Sequence, residues 1–130
     1  MKKFLVAVIL AIVCFCSCNN NTDYCRSCEY EIIGINNDLA SAYKMEDFCY
    51  EKLMSGELTP SEFDSYERSW RKYRNEIDDL EEKRKFYEME IKKYSNNWEF
   101  SSWAKDTYNK VDSIRFAITP YLVRPISADK

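Results

Sequence analysis

Cys25 and Cys28 form the only motif in this chain with intrinsic chemistry. A Cys-x-x-Cys pair exchanges electrons when its first thiol is exposed and has a lowered pKa. Redox enzymes place such a pair at a helix N-terminus within a βαβ unit, and no such unit surrounds residues 25–28. The favoured interpretation is therefore a structural disulfide. Free thiols, and redox or metal chemistry, are the alternatives.

A third cysteine, Cys49, makes the count odd in the chain beyond residue 18. One thiol must then stay unpaired or bond another chain. Cys49 lies in an apolar series, where a free cysteine acts as a small hydrophobic residue, and a Cys28–Cys49 pair is the alternative. A c-type haem would need histidine where Glu29 stands, and a four-thiolate zinc site would need a second cysteine pair. The sequence predicts no metal and no cofactor.

The composition removes most enzyme classes and favours helices. The 130 residues include no histidine and only two glycines. Without histidine there is no Ser-His or Cys-His catalytic pair, and two glycines cannot build the phosphate loops of nucleotide-binding folds. We therefore expect an all-α protein that is not an enzyme.

The clearest helix begins after Thr59, which precedes Pro60 and stands three residues before Glu62. That order is typical of a capping box with proline at the first helical position. From residue 63 to residue 94, apolar and aromatic residues recur at alternating intervals of three and four, interrupted by Arg84. A heptad pattern of this length predicts a long helix packed lengthwise against a partner. Arg84 either lays its stem along the seam with its head in water, which we favour, or finds a buried partner.

Aromatic residues along this seam and just beyond it are the candidate interaction surface. Helical spacing favours a core role, with a glycan or ligand platform as the alternative, and an exposed seam would favour a protein partner. The six candidates are Tyr66, Trp70, Tyr73, Tyr87, Trp98 and Trp103. The acidic run within residues 78–82 is interpreted as a solvated helix face, since basic residues follow it directly.

Two further helices are predicted on either side. The first starts near Asp38 and ends at Ser55-Gly56, and the third follows residues 95–97 and ends at Pro120. Residues 28–35 are either strand-like or an early helical turn broken at Gly34. Short connections make neighbouring helices antiparallel, so we expect an elongated antiparallel helical hairpin or a three-helix bundle with coiled-coil-like packing. The apolar face predicted for the first helix is Leu39, Ala42, Met45, Cys49 and Leu53.

The N-terminus has the anatomy of a secretory signal peptide: two lysines, an apolar run over residues 4–16, and an abrupt polar stretch after Cys18. The run is too short for a membrane-spanning helix, which needs roughly 20 apolar residues. Of three nearby cysteines, only Cys18 follows a small residue, Ser17. In this respect the sequence resembles bacterial lipoproteins, whose lipobox ends in the cysteine that is lipidated. The resemblance implies cleavage before Cys18, with an ordinary cleaved signal as the alternative.

This resemblance divides the chain into a signal peptide (1–17), a lipidated N-terminus and tether (18–37), a helical domain (38–119) and a C-terminal tail (120–130). It also implies a bacterial envelope location with the membrane as partner. Asn19, where an inner-membrane retention signal would have aspartate, favours the outer membrane. The periplasmic side is favoured over surface display, because only Asp23 is acidic in the stretch that would carry a surface-export signal. Without residues 1–17 the net charge is −5, with 17 basic and 22 acidic residues, so nucleic acid is not an expected partner.

Residues 53–63 carry a second, short resemblance. Their order of Gly56, Leu58, Thr59, Glu62 and Phe63 is similar to the hairpin of the short C-terminal oligomerisation domain and of small bacterial lipoproteins of unknown function. It implies an interaction role, either with another protein or by self-association. The sequence therefore predicts a membrane-anchored envelope interaction or structural module, and a thiol–disulfide protein using Cys25 and Cys28 is the alternative.

Overall fold

The computed structural model describes residues 21–122, which fold into three α-helices without a strand among them. The helices are α1 (Asn21–Met54), α2 (Pro60–Tyr94) and α3 (Ser102–Leu122). This confirms the predicted all-α class. The predicted signal peptide, Cys18 and the end of the predicted tail, residues 123–130, lie outside the described residues.

Helix α1 is the centre of the bundle, and α2 and α3 both pack against it. Helix α2 runs antiparallel to α1, since the Cys25 thiol meets the Ile91 carbonyl while Glu46 meets Trp70. Helix α3 runs parallel to α1, because Glu29 meets Ser101 while Asn36 meets Thr107. The predicted alternatives therefore resolve into a three-helix bundle.

The predicted start of the first helix at Asp38 is wrong. Helix α1 (Asn21–Met54) already includes residues 21–37, so these residues are helix and not tether. The reason is a continuous buried face: Cys25, Cys28 and Ile32 prolong the series that continues at Leu39. Gly34 does not break the helix, because it lies on the exposed side and its neighbours Ile33 and Ile35 are held by burial.

The two glycines should respond to alanine substitution with opposite signs. A methyl group added at Gly34 would meet nothing within 4 Å, so Gly34→Ala should raise the free energy of unfolding by about 0.5–1 kcal/mol through reduced backbone entropy. Gly56 has a φ of +74°, which strains any residue with a side chain. Gly56→Ala should therefore lower the free energy of unfolding by about 1–2 kcal/mol. Urea denaturation followed by circular dichroism measures both. Equal signs for the two variants would contradict the argument.

Helix α2 forms as predicted from its first turn. The Thr59 side chain accepts from the Glu62 backbone N–H at 3.2 Å, and the Glu62 carboxylate accepts from the Thr59 N–H at 2.9 Å. Pro60 occupies the first turn, where its missing N–H costs no helical bond. The hydrogen bonds of the Thr59 backbone and side chain lower the pKa of the Glu62 carboxyl. The turn before it, within residues 53–63, joins α1 to α2.

The predicted end of the third helix differs from the structure by a few residues. Helix α3 continues through Pro120 to Leu122, so the boundary between helical domain and tail at residue 119 is not a helix end. Proline removes one N–H donor, and near a helix end that loss is confined to the last turn. The buried residues of α3 include Ala104, Val111 and Ile118.

The core consists of two clusters that divide the bundle along its length. The larger one joins all three helices around Ile32, Leu39, Ile77 and Val111. The smaller one lies where α1 and α2 meet near their connecting turn, and its members are Cys49, Tyr50, Leu53 and Trp70, packed against Leu58, Phe63, Tyr66 and Tyr73. One predicted core residue of α1 is misassigned: Met45 is 40% exposed, and Glu46 is buried beside it.

Candidate functional site

The three cysteines that the sequence put forward are free thiols in the interior. Cys25, Cys28 and Cys49 are at most 3% exposed. The disulfide favoured for Cys25 and Cys28 is absent from this structure, because both residues belong to one helix and point their side chains into the core beside α2. The interpretation of Cys49 as a small buried hydrophobic residue matches its position.

Burial also sets the protonation state of these thiols. Burial raises the pKa of Cys28 to about 12 and shifts the pKa of Cys25 upward. Burial, with a further contribution from the Glu46 charge, raises the pKa of Cys49. Since the thiolate is the reactive form, burial keeps these three thiols in their less reactive, protonated form.

The six aromatic candidates divide between core and surface. Trp70 and Tyr87 are buried, at 8% and 5% exposure, and Tyr66, Tyr73 and Trp98 are partly buried. Trp103 alone among the six is exposed, at 58%. The aromatic seam of α2 is therefore chiefly core, and only the residue at the start of α3 is presented to solvent.

A buried carboxylate, Glu29, ties α1 to the start of α3. It is 1% exposed and accepts hydrogen bonds from the Trp98 indole N–H at 2.9 Å and from the Ser101 hydroxyl at 2.5 Å. Arg26 reaches it at 3.3 Å and also stacks 4.7 Å above the Trp98 ring. Ser101 in turn caps α3, accepting from the Ala104 N–H at 3.2 Å. Burial favours the neutral acid, but the Ser101 and Trp98 donors outweigh it and lower the pKa of Glu29.

A second buried carboxylate, Glu46, holds the other half of α1 to α2. It is 0% exposed and accepts from the Trp70 indole N–H at 2.5 Å, with the Arg74 guanidinium 3.8 Å away. Arg74 lies 5.4 Å from the centre of the Trp70 ring. The Trp98–Glu29 arrangement is thus repeated: a tryptophan donates to a buried glutamate while an arginine covers its ring.

The guanidinium group of Arg84 is not in water, which is where the favoured interpretation of the sequence placed it. Its side chain is 13% exposed and donates to the Asn36 Oδ1 at 2.8 Å, while Asn36 Nδ2 donates to Thr107 Oγ1 at 3.0 Å. Glu88 lies 3.8 Å from the guanidinium, and Tyr108 lies under it at 5.3 Å. This chain of polar contacts joins all three helices at the middle of the larger cluster, so the alternative of a buried partner is the correct one.

Three tyrosine hydroxyl groups donate hydrogen bonds to carboxylates of α2. Tyr24 pairs with Glu90 at 2.5 Å and Tyr108 with Glu88 at 2.5 Å, and Tyr43 pairs with Glu81. Burial first, and then the carboxylate partner, raises the pKa of each tyrosine. Of the predicted solvated acidic run, Glu81 is therefore engaged in the bundle, where it also lies 3.6 Å from Arg115 of α3.

Because these three tyrosines are bonded in their protonated form, we expect the protein to lose stability at alkaline pH. Their folded pKa values lie above the unfolded value of about 10, so the stabilisation is complete below about pH 10 and is lost as the pH rises beyond it. Urea midpoints should be level from neutral pH to about pH 9 and fall above pH 10. Tyr108→Phe should make the fall shallower. A midpoint that stays constant above pH 10 would contradict this account.

The buried polar residues of α1 were missed by the sequence analysis. Glu29, Asn36 and Tyr43 recur every seven residues on the side of α1 where α2 and α3 meet. Their seven-residue interval, between apolar residues, was the sequence signal that could have indicated a buried polar row. It could not be separated from ordinary solvent exposure without knowing that a third helix covers that side.

An open groove of about 600 Å³ lies between the end of α2, the following turn and the start of α3. Trp98, Phe100 and Tyr108 line it together with Asn96 and Asn109. The polar atoms of its two hydrogen-bonding rings are engaged, because Trp98 donates to Glu29 and Tyr108 to Glu88.

Within residues 21–122, no helix combines the length and the apolar character needed to span a bilayer. Over the same residues, no three acidic or cysteine side chains converge as metal ligands would. Cys18, the predicted lipidation site, lies outside the described part of the chain. No protein-family model, curated protein or solved structure matches this sequence.

Proposed function

We propose that this chain is a lipid-anchored, non-enzymatic interaction module of a bacterial cell envelope, attached through Cys18. The observation that carries the proposal is that α1 already includes Asn21, three residues after Cys18. Three residues span at most about 10 Å. An acyl chain on Cys18 would therefore hold a stiff helical bundle close to the membrane surface.

The chemistry of the interior supports a binding role over catalysis. Glu29, Glu46 and Arg84 are engaged in contacts between helices, and the three thiols are buried in their protonated form. Several acyl chains on one cysteine, at ~0.8 kcal/mol per buried CH₂, would make the attachment permanent. Asn19 directly after the anchor favours the outer membrane, on its periplasmic side.

Labelling with a palmitate analogue in bacteria expressing the full chain tests the anchor. The chain should take up label and sediment with outer-membrane vesicles on a density gradient. Cys18→Ser should abolish labelling and leave the uncleaved precursor. Cys16→Ser is the matched control and should label normally. Label retained in Cys18→Ser, or lost in Cys16→Ser, would overturn the assignment of Cys18.

The alternative, an envelope thiol–disulfide protein, has a direct test in thiol reactivity. Because Cys25, Cys28 and Cys49 are buried and protonated, we expect them to react with a maleimide at least about tenfold more slowly than in the denatured chain. Mass spectrometry counts the modified thiols with and without urea. Rapid native labelling at Cys25 would instead favour redox chemistry. In that case, replacing Cys25 and Cys28 together by serine should remove the thiol–disulfide exchange activity while the helical content stays unchanged.

A further inference from the structure

The side of α1 that neither α2 nor α3 covers carries an uncharged stripe. Its spacing of four, three, four, four and three residues keeps it on one face for about 27 Å. In a chain with 32% charged residues, six consecutive exposed positions of this face carry no charge. We call these six residues the α1 stripe: Tyr30, Gly34, Asn37, Ser41, Met45 and Phe48.

Large apolar side chains occupy both ends of the α1 stripe. Tyr30 is 56% exposed, and Met45 and Phe48 are 40% and 48% exposed. The exposed Trp103 of α3 extends the patch, with its ring centre 6.2 Å from that of Tyr30. Isolated exposed apolar residues are ordinary, whereas an uncharged line on the central helix with large apolar side chains at both ends fits a protein interface.

Charges of opposite sign border the stripe on its two sides. At about 100° per residue, Arg26 and Lys44 fall on the side toward α3, whereas Glu31 and Asp38 fall on the side toward α2. When two identical helices pack in parallel about a twofold axis along their length, the acidic border of one meets the basic border of the other. In an antiparallel pair like borders meet, which is unfavourable.

We propose that the α1 stripe is a self-association surface on which a second copy of this chain packs its own α1 in parallel. The orientation rests in part on the proposed function, because two copies anchored near residue 18 in one membrane have their α1 helices starting at the same level. Parallel packing of this kind is isologous, so each stripe residue lies opposite the same residue of the other copy.

The size of the stripe predicts where this dimer forms. A strip about 27 Å long and about 10 Å wide covers roughly 300 Å² per copy, well below the roughly 800 Å² per partner of stable soluble complexes. The pairing is therefore weak in solution. Anchoring in a shared membrane raises the effective concentration and aligns the copies, so the dimer is a property of the membrane-bound protein.

Variants of the full chain with one added cysteine, cross-linked in bacterial membranes with a short bismaleimide, test this geometry. Tyr30→Cys and Phe48→Cys lie at opposite ends of the stripe, and each should yield a homodimer band. Coexpressing the two variants should add no mixed 30–48 product. Phe116→Cys is the control, since this α3 position is 86% exposed and lies off the stripe. The unmodified chain, whose three described thiols are buried, gives the background.

Absence of homodimers for both end variants would overturn the proposal. So would a yield at Phe116→Cys equal to theirs, which would indicate random collision. A mixed 30–48 product without homodimers would overturn the parallel orientation.

A charge placed within the stripe provides the second measurement. Ser41→Glu in the Phe48→Cys background should lower the cross-linked fraction about tenfold, because two carboxylates would face each other across the twofold axis. Ser113→Glu, on an exposed position of α3, is the matched control and should leave it unchanged. Circular dichroism should show the same helical content in both variants. Unaltered cross-linking in Ser41→Glu would overturn the proposal.

Palmitate labelling of the same samples separates this proposal from that of the anchor. Labelled chains that do not cross-link would overturn the dimer and leave the anchor standing. Homodimers formed by chains that carry no label would overturn the anchor and leave the stripe standing.

Discussion

Glu29→Ala should lower the free energy of unfolding by about 3–5 kcal/mol, the cost of removing one partner from a buried, hydrogen-bonded ionic contact. Glu29 accepts from Trp98 and Ser101 and lies beside Arg26. Without its carboxylate, these donors lose their acceptor at the junction of α1 with the start of α3. Against a typical total of about 5–15 kcal/mol, this is a large loss. Urea denaturation followed by circular dichroism measures it.

Two variants show whether the carboxylate itself is responsible. Glu29→Gln keeps the shape but not the charge and should fall between wild type and alanine. Because the pKa of Glu29 is lowered in the folded state, its stabilisation is present above the unfolded value of about 4.3 and is lost as the pH falls below it. The difference between wild type and Glu29→Gln should therefore shrink in acid. Glu31→Ala, at an exposed position of the same helix, should change stability by less than about 0.5 kcal/mol. An equal effect at both positions would contradict the argument.

Trp70→Ala should cost about 3–5 kcal/mol and loosen the end of the bundle at which α1 and α2 meet. Trp70 is 8% exposed and belongs to the smaller core cluster with Cys49, Tyr50 and Leu53. Its removal leaves a cavity and deprives the buried Glu46 of its indole donor. Hydrogen exchange should show faster opening of residues 46–54 and 63–73, with smaller changes around Ile32 and Val111.

Trp70→Phe distinguishes packing from hydrogen bonding at this position. It keeps an aromatic ring but removes the N–H that Glu46 accepts, so about 1–3 kcal/mol should be lost. Trp103→Phe is the matched substitution at an exposed tryptophan and should have an effect near zero. If Trp70→Phe were also neutral, the Glu46 contact would contribute nothing to stability.

Several features of the bundle follow from residues that are near neighbours in the sequence. The start of α2 at Pro60 is specified by Thr59 and Glu62, and its length by apolar residues that recur every three or four positions. The turn at Gly56 ends α1 as predicted, because a residue with a positive φ is needed there. These features depend on contacts within a few positions along the chain.

The remaining features depend on which helix covers which face, and only the tertiary structure decides that. Cys25 and Cys28 suggested thiol chemistry in the sequence, yet they extend the buried face of α1 toward Asn21 because α2 packs over them. Glu29, Asn36 and Glu46 are of residue types that usually lie at the surface. Their burial is favourable because Trp98, from the turn before α3, and Arg84 and Trp70, from α2, donate hydrogen bonds to them. The sequence by itself determined the all-α class, the start of α2 and the turn at Gly56, and the anchor at Cys18 stays a prediction. Packing between distant segments decided which polar residues stabilise the core and which face of α1 is left uncovered. The physical reason is that a polar group is stable in the interior only when a hydrogen-bond partner meets it there.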